Sequence, residues 1–100
     1  MRMKNYEIAN INGVLMEILD QPIKGKLKFK LFKLKVELEN KLKVVSEALK
    51  DVDNEEERTE IINEEQDVSF ETFEESDLEN LELSIRQLSV LQPILKGEDK

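Results

Sequence analysis

Six apolar residues, Leu31, Leu34, Leu38, Leu42, Val45 and Leu49, follow one another at steps of 3, 4, 4, 3 and 4. That spacing sets all six on one side of an α-helix, and a long helix with one apolar side must bury it against another element. A second stripe is available nearby. Ile8, Ile11, Leu15 and Ile18 repeat at steps of 3, 4 and 3, and Val14 and Leu19 widen the stripe. The pattern predicts helices over 5–20 and 26–50 that pack together. Between them, Pro22 and Gly25 force the chain to turn. The predicted fold is therefore mainly α: a helical hairpin, closed by a short extended segment and a short C-terminal helix. The expected core is Ile11, Leu15, Ile18, Leu31, Leu34, Leu38, Leu42, Val45, Leu88 and Leu91.

Local signals refine this outline. Asn5 suits the N-cap of the first helix. Gly13 interrupts that helix at a cost of about 1 kcal/mol relative to alanine, and serves close helix approach or is a tolerated defect. Lys26 to Leu31 alternates polar and apolar residues and offers a strand as the alternative to the start of the long helix. Residues 51–66 read as a short return helix capped by Asp53 or Asn54, or as a mobile connector. Residues 67–74 alternate, with Val68, Phe70 and Thr72 on one side and Ser69, Glu71 and Phe73 on the other, which predicts an extended segment. Its strand partner could be residues 26–31, the N-terminus or another chain. Ser76 to Glu79 and Ser84 to Gln87 both fit the capping-box pattern. The second opens a helix with Ile85, Leu88 and Leu91 on one face, which Pro93 limits to about residue 92. Residues 1–95 read as one domain and 96–100 as a polar tail.

The missing residue types restrict the chemistry. Without histidine there is no imidazole base, and without cysteine there is neither a thiol nucleophile nor a disulfide. Zinc sites built on these residues are excluded as well. The acidic run from Asp51 fails as a calcium loop, because its sixth and twelfth positions are Glu56 and Ile62 rather than glycine and glutamate. Pairs such as Glu71 with Glu74 or Glu75 lack any sign of a pocket that would tune them for acid–base work. The chain is read as non-enzymatic, with no catalytic residue, cofactor or metal. No 18-residue apolar run and no signal-peptide pattern are present, so the expected location is the cytoplasm, away from the membrane.

Charge is sorted along the chain. Residues 24–50 hold nine lysines against three glutamates, a net of +6, whereas residues 51–100 hold seventeen acids against four bases, a net of −13. The acidic half suggests a surface that imitates a nucleic-acid backbone and is attracted to a basic groove. The candidate partner-binding residues are Glu55, Glu56, Glu57, Glu60, Glu64, Glu65, Asp67, Phe70, Glu71, Phe73, Glu74 and Glu75. Phe70 and Phe73 serve either as anchors for that partner or as a lid over the core. A candidate basic face is formed by Lys24, Lys26, Lys28, Lys30, Lys33 and Lys35. Its lack of arginine and the overall pI near 4.6 argue against direct nucleic-acid binding. The alternative for these lysines is to neutralise the acidic half within the molecule.

Three segments carry a resemblance to a family. They are Met3 to Ile8, then Pro22 to Phe29 running into the Lys/Glu/Leu helix, and finally Val68 to Glu71 followed by Leu83 to Leu95. Together they resemble a family of small, functionally uncharacterised phage and prophage proteins of low-GC bacteria. This chain is shorter than those relatives between the long helix and the acidic strand. The resemblance implies a phage context and brings no site residues with it. The expected function is a phage-type protein-binding module, an acidic inhibitor that occludes a host nucleic-acid-handling or defence protein. The alternatives are a particle assembly factor or minor structural protein that oligomerises through the long helix, and nucleic-acid binding through Lys24–Lys35.

Overall fold

A computed structural model describes residues 1–96. The chain is mainly helical. Its elements in order are β1 (Arg2–Lys4), α1 (Asn5–Ile18), α2 (Lys26–Leu49), α3 (Glu55–Asn63), β2 (Glu65–Asp67), α4 (Glu75–Leu78), α5 (Ile85–Leu91) and a 3₁₀ turn at Gln92–Ile94. Helices α1 and α2 form the predicted hairpin, and α3 and α5 both pack against it. Residues 26–31 are helical, so the strand alternative there is overturned.

The difference in helix length explains where α3 goes. At 1.5 Å per residue, α2 with its 24 residues outruns the 14-residue α1 by about 15 Å. Helix α3 folds back against that overhang and against the start of α1. Asn54, not Asp53, caps α3: its side-chain oxygen accepts from the backbone N–H of Glu56 at 2.7 Å and of Glu57 at 3.2 Å. Residue Asp51, which follows the end of α2, takes a φ of 66°, a left-handed conformation that Asp tolerates better than most residues. Gly25 enters α2 at φ 71° and ψ −148°, a combination open essentially to glycine alone.

The strand lies earlier than its alternation suggested. β2 pairs antiparallel with β1, in the register Arg2 with Asp67, Met3 with Gln66 and Lys4 with Glu65. Of the three candidate partners it is the N-terminus that supplies the pairing. Beyond residue 67 the period-2 reading fails, because Val68 and Phe73 are both buried although they lie five positions apart, an odd spacing that would put them on opposite faces of a strand. Phe73 joins residues 94–96 instead. Its N–H donates to the Ile94 carbonyl at 2.9 Å, and its carbonyl accepts from Lys96 N–H at 2.7 Å.

The core runs through one cluster: Met3 of β1, Ile8, Ile11, Val14, Leu15 and Ile18 of α1, Leu31, Leu34 and Leu38 of α2, then Val68, Phe73, Leu78, Leu81, Leu91 and Ile94. Leu42 and Val45 are only half-buried, since α2 has by then passed the N-terminal start of α1. The face assigned to α5 also shifts. Ile85 is 88% exposed and Leu88 is 40% exposed, while Leu91 and Ile94 are fully buried. Pro93 sits in the 3₁₀ turn, which rotates Ile94 onto the core side.

Two caps depart from expectation. Asn5 is the first residue within α1 and is buried; the cap is Lys4, whose N–H donates to the Glu7 carboxylate at 2.8 Å. Ser76 lies inside α4, which is opened instead by Glu74 with its N–H on the Asp77 carboxylate at 2.9 Å. The Ser84 box forms as expected: Gln87 N–H donates to Ser84 Oγ at 3.1 Å, and Ser84 N–H to Gln87 Oε1 at 2.8 Å.

Gly13 settles on the tolerated-defect side. It is exposed, and a Cβ added there would meet nothing within 4 Å. Gly13→Ala should therefore stabilise the protein by about 1 kcal/mol, or roughly 4–8 °C in Tm for a domain of this size. A thermal melt checks this, and an unchanged or lowered Tm would show that the position is not ordinary helix.

Candidate protein-binding surface

Helix α3 carries the densest part of the acidic half. Glu55, Glu56, Glu57 and Glu60 are all exposed, and no residue of α3 is buried. The acids of its first turn face the positive end of the helix dipole, which stabilises them there. A helix this polar does not hold its place by burial, so polar bonds hold it. Asn5 Nδ2 donates to the Ile61 carbonyl at 2.6 Å, and the Asn5 backbone N–H donates to the Glu64 carbonyl at 2.8 Å. Gln66 Nε2 in turn donates to Asn5 Oδ1 at 2.8 Å and to the Lys41 carbonyl of α2 at 3.1 Å. This node ties α1, α2, α3 and β2 together and fixes the acidic helix on the hairpin.

The remaining acidic candidates divide. Glu64, Glu71 and Glu75 are exposed and make no ion pair among the described residues. Glu65 pairs with Arg2 at 3.5 Å, Asp67 with the N-terminal amine at 3.4 Å and Glu74 with Lys96 at 3.7 Å. Phe70 is half-buried and packs on the core. Phe73 is fully buried, so it is removed from the set that could touch a partner. Among the described residues no group of three or more carboxylates converges as a metal site would require.

The basic candidates also divide. Lys30 lies over the Phe73 ring, 4.6 Å from its centroid, and pairs with Asp77 at 3.1 Å. Lys35 pairs with Glu39 at 2.7 Å, one turn along α2. Lys24, Lys26, Lys28 and Lys33 are exposed and unpaired among the described residues. Among the described residues, the lysines of the basic face reach the acidic half only through Lys30 with Asp77.

The titration of Asp77 is shifted. The backbone N–H of Glu74 holds its carboxyl below the ordinary 3.8, burial opposes that, and the hydrogen bond and charge of Lys30 add to the lowering. A depressed carboxylate binds fewer protons folded than unfolded, so its stabilisation is present above the unfolded pKa and is lost as pH falls through the folded one. Asp77→Asn should therefore be destabilising at pH 7, and less so once the pH falls below the ordinary carboxylate value of 3.8. Urea unfolding of both proteins at neutral pH and in acid checks this; a deficit undiminished in acid would mean that packing, not charge, is at stake.

A second surface escaped the sequence reading. Phe29 and Phe32 are 67% and 61% exposed, and Val36 is exposed beside them. Their spacing of three and four residues forms a second apolar stripe on α2, away from its buried one. The signal was in the sequence, but the leucine stripe dominated it. Phe32 and the exposed Leu19 flank a groove of about 260 Å³ floored by Leu15, Ile18 and Leu31, with Lys28 and Lys35 in its lining. A separate groove of about 380 Å³ lies between α4 and α5, lined by Leu78, Leu81, Leu83 and Leu88, with Glu75 and Glu79 among them.

The described helices include none long and apolar enough to cross a membrane. Comparison with protein-family models, with curated proteins and with solved structures finds no match to this chain.

Proposed function

We propose that this chain is a non-catalytic protein-binding module of phage type that occludes a basic surface on a host nucleic-acid-handling or defence protein. The observation that carries this reading is α3: a helix with no buried residue, all of its acids in solvent, held in place by polar bonds to the hairpin. Residues 51–65 hold eight acids against Arg58, a net of −7. A dense, fixed array of carboxylates accelerates encounter with a basic groove and matches the charge of the phosphates it displaces. Attraction of this origin weakens as salt rises.

The test is capture of partners by tagged protein from host lysate at low and high salt, beside a variant with Glu55, Glu56, Glu57, Glu60 and Glu64 changed to glutamine. A basic nucleic-acid-handling or defence protein should be retained at low salt, released at high salt and lost with the variant. Retention unchanged by the five substitutions overturns the acidic-face mechanism.

A second reading, an assembly factor, is favoured by the exposed Phe29, Phe32 and Val36, since an apolar stripe suits a lasting protein contact better than a soluble inhibitor. Nucleic-acid binding through the lysines is weakened, because Lys30 and Lys35 are already engaged.

A further inference from the structure

The two apolar surfaces described above carry opposite charge and stand on different elements. On α2, Phe29, Phe32 and Val36 project into solvent, and the unpaired Lys26, Lys28 and Lys33 lie on the same stretch of helix. Between α4 and α5, leucines including Leu88 line a depression that Glu75 and Glu79 border, and the 88%-exposed Ile85 lies one turn from Leu88 on the same side of α5. One surface is raised, aromatic and basic; the other is hollow, aliphatic and acidic.

We propose that the chain associates with copies of itself head to tail, the Phe29/Phe32 stripe of one copy seating in the acidic α4–α5 groove of the next. Like-to-like pairing is disfavoured on both sides. Two stripes face to face oppose lysines with lysines, and two grooves oppose Glu75 and Glu79 with themselves. Only the unlike pairing joins knob to hollow and cation to anion. The net charge of −8 opposes association as a whole. At an ionic strength of about 0.15 M that repulsion is screened beyond about 8 Å, while the contact itself is shorter than this. A contact between two different surfaces closes into a ring or builds an open chain whose two ends leave one of each surface unfilled. This inference stands apart from the occlusion reading, which rests on α3.

Sedimentation equilibrium at about 0.15 M salt tests it, from about 10 µM to about 1 mM protein. The average mass of the unaltered chain should rise above 11.7 kDa with concentration. Phe29→Ser with Phe32→Ser should remain monomeric, and so should Ile85→Ser with Leu88→Ser. An equal mixture of the two variants should give dimer and nothing larger, because each retains the surface the other has lost. Circular dichroism confirms that both are folded, and Lys28→Glu/Lys33→Glu mixed with Glu75→Lys/Glu79→Lys supplies a second complementing pair. A chain that stays monomeric throughout overturns the proposal and leaves the stripe to a foreign acidic protein. Association that survives in either variant alone, or two monomeric variants that fail to join, overturns it equally.

Discussion

Replacing Phe73 by alanine is expected to cost about 3–5 kcal/mol, a large share of the roughly 5–15 kcal/mol that holds a domain of this size together. Its ring is fully buried where residues 73 and 94–96 meet, among the aliphatic side chains of the core. It also supports Lys30, whose ammonium lies 4.6 Å from the ring centroid while pairing with Asp77. Alanine leaves a cavity and removes the platform beneath that pair. Phe73→Leu keeps most of the volume and should cost under about 2 kcal/mol. Chemical denaturation of the three proteins at neutral pH measures both losses. A partner anchor would behave in the opposite way, with Tm nearly unchanged and binding abolished. Equal stability of Phe73→Ala and the unaltered chain would thus return the residue to the surface.

Asn5→Ala should cost about 1–3 kcal/mol, and the loss should be centred on α3. Asn5 is 6% exposed, the one buried polar side chain among the described residues. It donates to Ile61 at the end of α3 and accepts from Gln66, so alanine leaves an acceptor and a donor without these partners. Because α3 buries none of its own residues, it has little else to keep it docked. Amide hydrogen exchange should show protection falling in 55–63 well before it falls in α2. Asn5→Asp retains the acceptor for Gln66, loses the donor to Ile61 and adds a buried charge, so it should be no better than alanine. Uniform loss of protection across α2 and α3 would contradict the idea that Asn5 is the local tether of the acidic helix.

The hairpin was legible in the sequence because its signal is redundant. Ile11, Leu15, Ile18, Leu31, Leu34 and Leu38 each repeat the same helical period, and all are buried. Ser84 was legible for the same reason, since both halves of its capping box lie within four residues. What failed depended on distant chain. Val68 to Phe73 alternates locally, but Phe73 is placed by its pairing with Ile94 to Lys96, more than twenty residues later. Asn5 looks like a cap in isolation, and its true partners, Ile61 and Gln66, are some sixty residues away. Ile85 and Leu88 keep a helical period but face away from the core, because the turn at Pro93 brings Leu91 and Ile94 inward instead. For the candidate surface, composition located the acids, whereas only the packing could separate the exposed Glu55 to Glu60 from the paired Glu65, Asp67 and Glu74.

The central functional claim is that the acidic α3 takes the place of nucleic acid on a basic partner. The most direct measurement is fluorescence anisotropy of a labelled DNA duplex bound to the captured partner, as this protein is titrated in. Competition predicts that anisotropy falls to that of free duplex at saturation, and that the protein with Glu55, Glu56, Glu57, Glu60 and Glu64 changed to glutamine displaces nothing. Anisotropy that rises as the protein is added, reporting a ternary complex with DNA still bound, would contradict the account.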